Sequence, residues 1–371
     1  MMSPRERCLT AIHLEEPDRV PCFELGVNLA TIEKLINRPT VSAALGCMTS
    51  DELGTLARDT VDAYAAAGLD MVPASAGFPE NYRQGFVPER ISSNRWVDEF
   101  GRIWEDRPGV TGLSWYIGGT VKSRDDLERI RAIDPEDPGR TSLAREIVRF
   151  AREKGMAVAG YVDGPFLTSY MTVGLADFMS KIYRDRSFSL DLLELVTRFN
   201  CVQAKRLAEM GVDIVIVGDD MADSHGPLIN PRDLKEIMFP FLAQEIDVVR
   251  RTGTPVMIHS DGNTMPVFED IVALGIDGYQ AIEPDAGMDI ALLKRKYGDR
   301  LCLLGNVDCG NTLTHASPSE VAAESKHVID SAATGGGLIL GSSNSIHDGV
   351  KLENFLTMIR TGAKYGKYPF S

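Results

Sequence analysis

A (β/α)8 barrel with an added β-hairpin excursion is the α/β fold class that this sequence predicts, and three observations predict it. Short apolar runs recur at residues 20–25, 69–73, 156–161, 213–217, 256–259, 278–281, 301–304 and 338–340, and from residue 142 they alternate with segments of helical periodicity. Eight such runs on 371 residues suit one α/β barrel spanning residues 1–371, and no linker is long enough to divide it. The rhythm breaks between residues 90 and 119, where apolar and polar residues alternate around Gly101 and Gly109, the pattern of a small antiparallel excursion. A doubly wound open sheet is the alternative, and the absence of G-x-G-x-x-G after the first run weakens it.

Taken in order, residues 3–18 join Ser3-Pro4-Arg5-Glu6 to apolar Cys8, Leu9 and Ile12. This predicts a capped helix that ends before Pro17 and covers the barrel bottom or an edge. The first run ends at Glu24 and is followed by the loop Gly26-Val27-Asn28. Residues 50–67 have helical periodicity. All three tryptophans fall in the excursion, where they either pack on the barrel wall or close over a ligand. Gly335-Gly336-Gly337 precedes the last run rather than following it, which is the place of a tight turn and not of a phosphate cradle.

Composition bounds the function. The chain is 44% hydrophobic and 25% charged, ordinary for a globular protein with a large core. A net charge of -14 argues against a nucleic-acid partner. No run approaches the ~20 apolar residues of a membrane span, and Met1 to Arg7 lacks the apolar core of a signal peptide. The expectation is a cytoplasmic protein without membrane contact, with a homodimer left open. Six cysteines without a CxxC pair indicate neither a disulfide framework nor a thiolate zinc knuckle, and are read mostly as small buried residues.

In a barrel the active site lies at the carboxyl ends of the strands. The residues just past the runs are Glu24 and Asn28, Tyr161 and Asp163, Asp219 and Asp220, His259 and Asp261, Glu283, Asn306 and Asp308, and Asn344 and His347. Several serve as turn formers and caps, because Asp and Asn favour those positions. His259 and Asp261 are separated by one residue, and alternate residues of extended backbone point the same way, so both can converge on one metal ion. A hydrogen-bonded strand-end histidine with Asp261 capping the next helix is the other reading of the pair. Adjacent Asp219 and Asp220 must diverge or be neutralised, one facing the pocket while the other caps or pairs. No G-x-S-x-G elbow or cysteine-nucleophile signature is present.

These pieces carry a resemblance. Pro4-Arg5-Glu6-Arg7, Glu16-Pro17-Asp18-Arg19-Val20-Pro21, Asp163-Gly164-Pro165-Phe166, Gly218-Asp219-Asp220, His259 to Asn263, Glu283 to Asp289, Gly305-Asn306-Val307-Asp308 and Gly341-Ser342-Ser343-Asn344, in this order, resemble the uroporphyrinogen decarboxylase superfamily over nearly the whole chain. The resemblance implies a (β/α)8 barrel. It also implies one of two chemistries, decarboxylation in the haem pathway or methyl transfer with corrinoid proteins. The decarboxylases carry RQAGRY directly after the first strand, cations for the substrate's carboxylates. Here that place reads Glu24-Leu25-Gly26-Val27-Asn28, which is electrostatically wrong for a polyanionic tetrapyrrole. The resembling methyltransferases bind zinc through H-x-C after the fifth strand and a cysteine after the last. His259 matches the histidine, while Asp261 and Asn344 stand where the cysteines would be.

The expectation is therefore a methyltransferase that moves a methyl group from a small methoxylated or methylated donor to a corrinoid protein. It is assisted by a divalent metal, zinc by resemblance, held by His259, Asp261 and Asn344. Oxygen ligands would leave such an ion more Lewis-acidic, suited to an ether oxygen rather than a thiol. As third ligand, Glu283, Asp219 and His347 are better donors than a neutral amide, whereas the resemblance favours Asn344. Asp219 or Asp220 would stabilise charge on the leaving group. Glu24, Asn28, Tyr161, Asp163, Glu283, Asn306 and His347 would surround the substrate, behind a mouth formed by the excursion and the loop after Asp163. The alternatives are a metal-free decarboxylase of a small acid and a barrel that only binds.

Overall fold

Seven of the apolar runs are strands of one parallel sheet in the computed structural model, which describes residues 1–41, 48–80, 89–106 and 114–369. Met71–Ser75, Ala157–Asp163, Ile214–Gly218, Val256–His259, Gly278–Gln280, Cys302–Val307 and Leu338–Ser342 pair in chain order. They read as near-continuous apolar runs because both faces are covered. Met71, Ala157, Ala159, Ile214, Ile216, Met257, Cys302, Leu304 and Ile339 fill the interior, while their alternates such as Val72, Val158, Val215 and Leu303 meet the helix layer.

The eighth run closes the ring without forming a continuous strand. Phe23 N–H donates to Leu340 O (3.0 Å) and Leu340 N–H to Pro21 O (2.9 Å) on one side, and Asp70 N–H donates to Cys22 O (2.8 Å) on the other. Pro21 has no N–H, so its side of the ladder is broken and only isolated bridges form. The first helix is also shorter than predicted. It spans Pro4–Ile12 behind a Ser3/Glu6 capping box and stops where Leu14 turns left-handed (φ 61°). Cys8, Ala11 and Ile12 pack into the interior cluster, and Arg5 N–H reaches Gly155 O (2.9 Å) at the amino end of a strand, so the helix plugs the barrel bottom.

The excursion is a four-stranded antiparallel sheet, Glu89–Arg90, Arg95–Val97, Arg102–Asp106 and Ser114–Gly119. Trp96 stacks on Trp104 (6.0 Å) and Trp104 meets the Tyr116 edge (6.1 Å). Tyr116 hydroxyl donates to Tyr170 O (3.2 Å) in the helix Pro165–Val173, which follows the strand Ala157–Asp163. A Cβ on Gly119 would stand 2.2 Å from Thr172 O, so only glycine allows this approach. The sheet thus sits at the carboxyl ends of the strands. Gly335, Gly336 and Gly337 form the expected turn, with φ of 78°, 80° and 74°. Cys8, Cys22, Cys302 and Cys309 are buried and Cys201 partly so, while Cys47 and Gly109 lie outside the described residues. Among the described residues no helix is long and apolar enough to cross a membrane.

Candidate metal centre at the barrel mouth

His259 ends its strand in register with Gln280 on the neighbouring strand. Gln280 Oε1 is bonded to His259 Nδ1. An amide oxygen can only accept, so Nδ1 carries the proton and the Nε2 lone pair is left to face the cavity. There Nε2 stands 3.5 Å from Asp220 Oδ1 and 3.7 Å from Asp261 Oδ1. One atom from each of the three side chains lies within 4.8 Å of the others. Asp261 Oδ2 accepts from Asn344 Nδ2 (2.6 Å), whereas Asp261 Oδ1 is buried without a partner. Burial raises the Asp261 carboxyl to about 6, and His259 opposes the shift.

An orphaned carboxylate oxygen, a second carboxylate and an imidazole with a fixed tautomer fit a divalent ion. Three protein donors leave a position open, as catalytic sites require. The Gln280 contact is the outer hydrogen bond that metal-ligating histidines make. Among the described residues no thiolate joins the cluster, and Cys309 donates to Ser345 O (2.9 Å) while burial pushes its thiol up to about 12. Asp220 converges with His259 and Asp261, while Asn344 stands against Asp261. Asn344 turns its nitrogen to Asp261, and its Oδ1 accepts from Ser345 N–H (2.7 Å).

The adjacent acids diverge as expected. Asp219 points under the helix Pro165–Val173 and accepts Leu167 N–H (2.7 Å). Burial raises its carboxyl to about 8 against the pull of the Leu167 and Phe166 amides. Glu24 is buried and likewise raised by burial to about 8, beside Ser342 N (2.8 Å) and Ser342 Oγ (2.6 Å).

The remaining predicted residues divide by what already holds them. Asn28 is a helix cap, accepting Thr31 N–H (2.8 Å) and donating to Ile346 O (2.9 Å), so both ends of its amide are engaged. Glu283 accepts Gly262 N–H (2.9 Å) beside the acid cluster. Asn306 Nδ2 donates to Ile282 O (2.9 Å). Ala281 and Ile282 have positive φ (99° and 52°), a conformation costly for a β-branched residue and found where a site needs a particular backbone. Tyr161 keeps its proton because burial and the charges of Asp163 and Asp220 oppose ionisation. Asp163 meets Arg102 Nη1 (3.0 Å), and His347 is exposed with Nδ1 accepting Gly349 N–H (3.0 Å).

Three residues escaped the sequence reading. Gln280 was hidden inside an apolar run, where a lone buried amide is itself a signal. Ser342 offered only a small polar residue at a strand end. Arg102 comes from the excursion, and nothing local to it announces that it reaches Asp163.

Residues 115–365 match the uroporphyrinogen decarboxylase family. The chain belongs to that family. It is 25% identical over 217 residues to the methylcobamide:CoM methyltransferase of Methanosarcina acetivorans, a match covering 58% of this chain and 62% of that protein. The Methanosarcina mazei protein of the same name is 26% identical with the same coverage, so less than two thirds of each methyltransferase is matched. The uroporphyrinogen decarboxylase of Serratia proteamaculans is 23% identical over 284 residues, covering 70% of this chain and 77% of that one. Among solved structures, a methyltransferase from Methanosarcina mazei superposes with a TM-score of 0.73 at 19% identity, over 98% of this chain and 99% of its own. A B12-independent methionine synthase from Shewanella sp. gives 0.55 at 12% identity, over 93% and 97%. These structures show the barrel fold of this family member.

Proposed function

We propose that this family member is a methyltransferase that moves a methyl group from a small methoxylated or methylated compound to a corrinoid carried by a partner protein. The convergence of Asp220, His259 and Asp261 carries the reading, in a chain whose relatives include methylcobamide methyltransferases. A divalent ion held by these three residues, zinc being compatible with the donor set, would supply a Lewis acid for the departing oxygen. Gln280 holds the imidazole in the ligating tautomer, and Asn344 holds Asp261. Two carboxylates with one divalent ion leave little net charge, which suits a neutral methyl ether. The excursion and the helix after Asp163 wall the mouth and limit water around the donor.

Larger matched lengths among the decarboxylases favour a second reading, release of carbon dioxide from an acid. The charge at the mouth opposes a polycarboxylate, because Arg102 is already held by Asp98 (2.6 Å) and Asp163 (3.0 Å) among several acids. The deciding assay is methyl transfer to reduced corrinoid from methoxylated aromatics, methylamines and methylthiols. Transfer from one class supports the proposal. No transfer from any, with carbon dioxide released when no corrinoid is added, establishes the second reading instead.

A further inference from the structure

The helices Ser50–Ala67 and Ser142–Glu153 each lead into one of two neighbouring strands, Met71–Ser75 and Ala157–Asp163. A helix that precedes a barrel strand runs antiparallel to it, so both helix N-termini lie on the mouth side, outside the strand ring. Between them opens a cleft of about 670 Å³, within the usual size of small-molecule sites, with Arg38, Arg58, Arg145, Arg149 and Phe150 among its lining residues.

On a protein of net charge -14 this concentration of guanidinium groups needs a reason. Arg58 and Arg149 both stand over the Phe150 ring, at 4.6 and 3.8 Å from its centroid, so two like charges crowd one aromatic face or its two sides. Arg38 is paired with Asp59, and Arg149 with Glu146 and Glu153. Arg58 and Arg145 form no ion pair with any described residue, and both are exposed. Asp51 also lines the cleft. Arginine presents a planar fork of donors that matches phosphate oxygens two at a time.

We propose that this cleft binds a phosphate-bearing small molecule through Arg58 and Arg145, at a site separate from the metal centre. The test is calorimetric titration of the full chain with inorganic pyrophosphate. Wild type should bind it, more weakly as salt rises. The double variant Arg58→Gln/Arg145→Gln should lose at least tenfold in affinity, and His259→Ala should bind like wild type. Both arginines are exposed, so the double variant should keep its thermal unfolding temperature. If it does not, Arg145→Gln alone serves as the variant, and a clear loss is still expected. No binding at millimolar pyrophosphate, equal binding by the arginine variants, or loss of binding in His259→Ala would each overturn the proposal.

Discussion

Glu24 Oε2 and Ser342 Oγ lie 2.6 Å apart, and burial favours the protonated form of the Glu24 carboxyl. Ser342 Oγ also lies 2.7 Å from the carbonyl oxygen of Asn344, which can only accept. One hydroxyl proton cannot serve both contacts in full, so with the hydroxyl turned to Asn344 a protonated Glu24 can donate to Ser342 Oγ. Burial raises this carboxyl to about 8, against the opposing pull of the Ser342 hydroxyl and backbone amide.

A stability consequence follows with a definite sign. The folded carboxyl titrates at about 8, against 4.5 for the free group. Between those values the folded state holds the proton and the unfolded state has released it, so stability falls as pH rises through that window. For a fully buried group the upper limit is on the order of 5 kcal/mol. Glu24→Gln reproduces the neutral acid, its oxygen accepting Ser342 N–H and its nitrogen donating to Ser342 Oγ. The variant should match wild type near pH 5 and unfold at higher temperature than wild type at pH 8.5. Parallel curves in a thermal-melt pH series would place the proton elsewhere.

Metal content tests the centre directly. Purification without chelator should give one divalent ion per chain by elemental analysis, and His259→Ala should lose both the ion and methyl transfer. Gln280→Leu removes only the orienting hydrogen bond and should weaken metal affinity about 10- to 100-fold, the usual effect of an outer-shell partner. A fully active enzyme free of metal would leave the carboxylates alone to assist the leaving group.

Asp220 and Asn344 make different predictions about the third ligand. Asp220→Ala should abolish stoichiometric binding, because it removes one of three converging donors. Asn344→Ala should only weaken it, by about tenfold, because the amide acts on Asp261 from behind. Competition with a chromogenic chelator ranks the two, and the reverse order would make Asn344 the ligand.

The barrel was legible because burial on both faces writes strands as apolar runs, and seven of the eight runs became strands of one sheet. Residues 20–25 behave differently because Pro21, without an N–H, breaks the ladder. The strand-end list contained all three converging donors, since a barrel delivers its strand ends to one face. What the sequence does not write is direction. Only packing shows that Asp219 turns under a helix while Asp220 faces His259, or that Asn344 presents its nitrogen. Arg102 and Asp163 meet across 61 residues, a pairing set by how the excursion folds back.

That fold-back yields the last prediction. Asp98 accepts from Arg102 Nε (2.6 Å) and Trp104 Nε1 (2.9 Å), and Arg102 extends to Asp163 (3.0 Å), so one carboxylate sets both the guanidinium and the indole at the rim. Trp104 is only half-buried and packs between Trp96 and Tyr116, inside the excursion rather than in the barrel core. Trp104→Ala should therefore leave the barrel folded, at a cost below the ~3–5 kcal/mol of removing a fully buried tryptophan. If a corrinoid protein docks on this rim, the variant should transfer methyl groups more slowly to protein-bound corrinoid while keeping its rate with free corrinoid. Arg102→Met, which frees Asp163 and keeps the side-chain bulk, should show the same split. An equal loss with both acceptors would assign the excursion to the methyl donor, and loss of the cooperative unfolding transition in Trp104→Ala would make the ring part of the core.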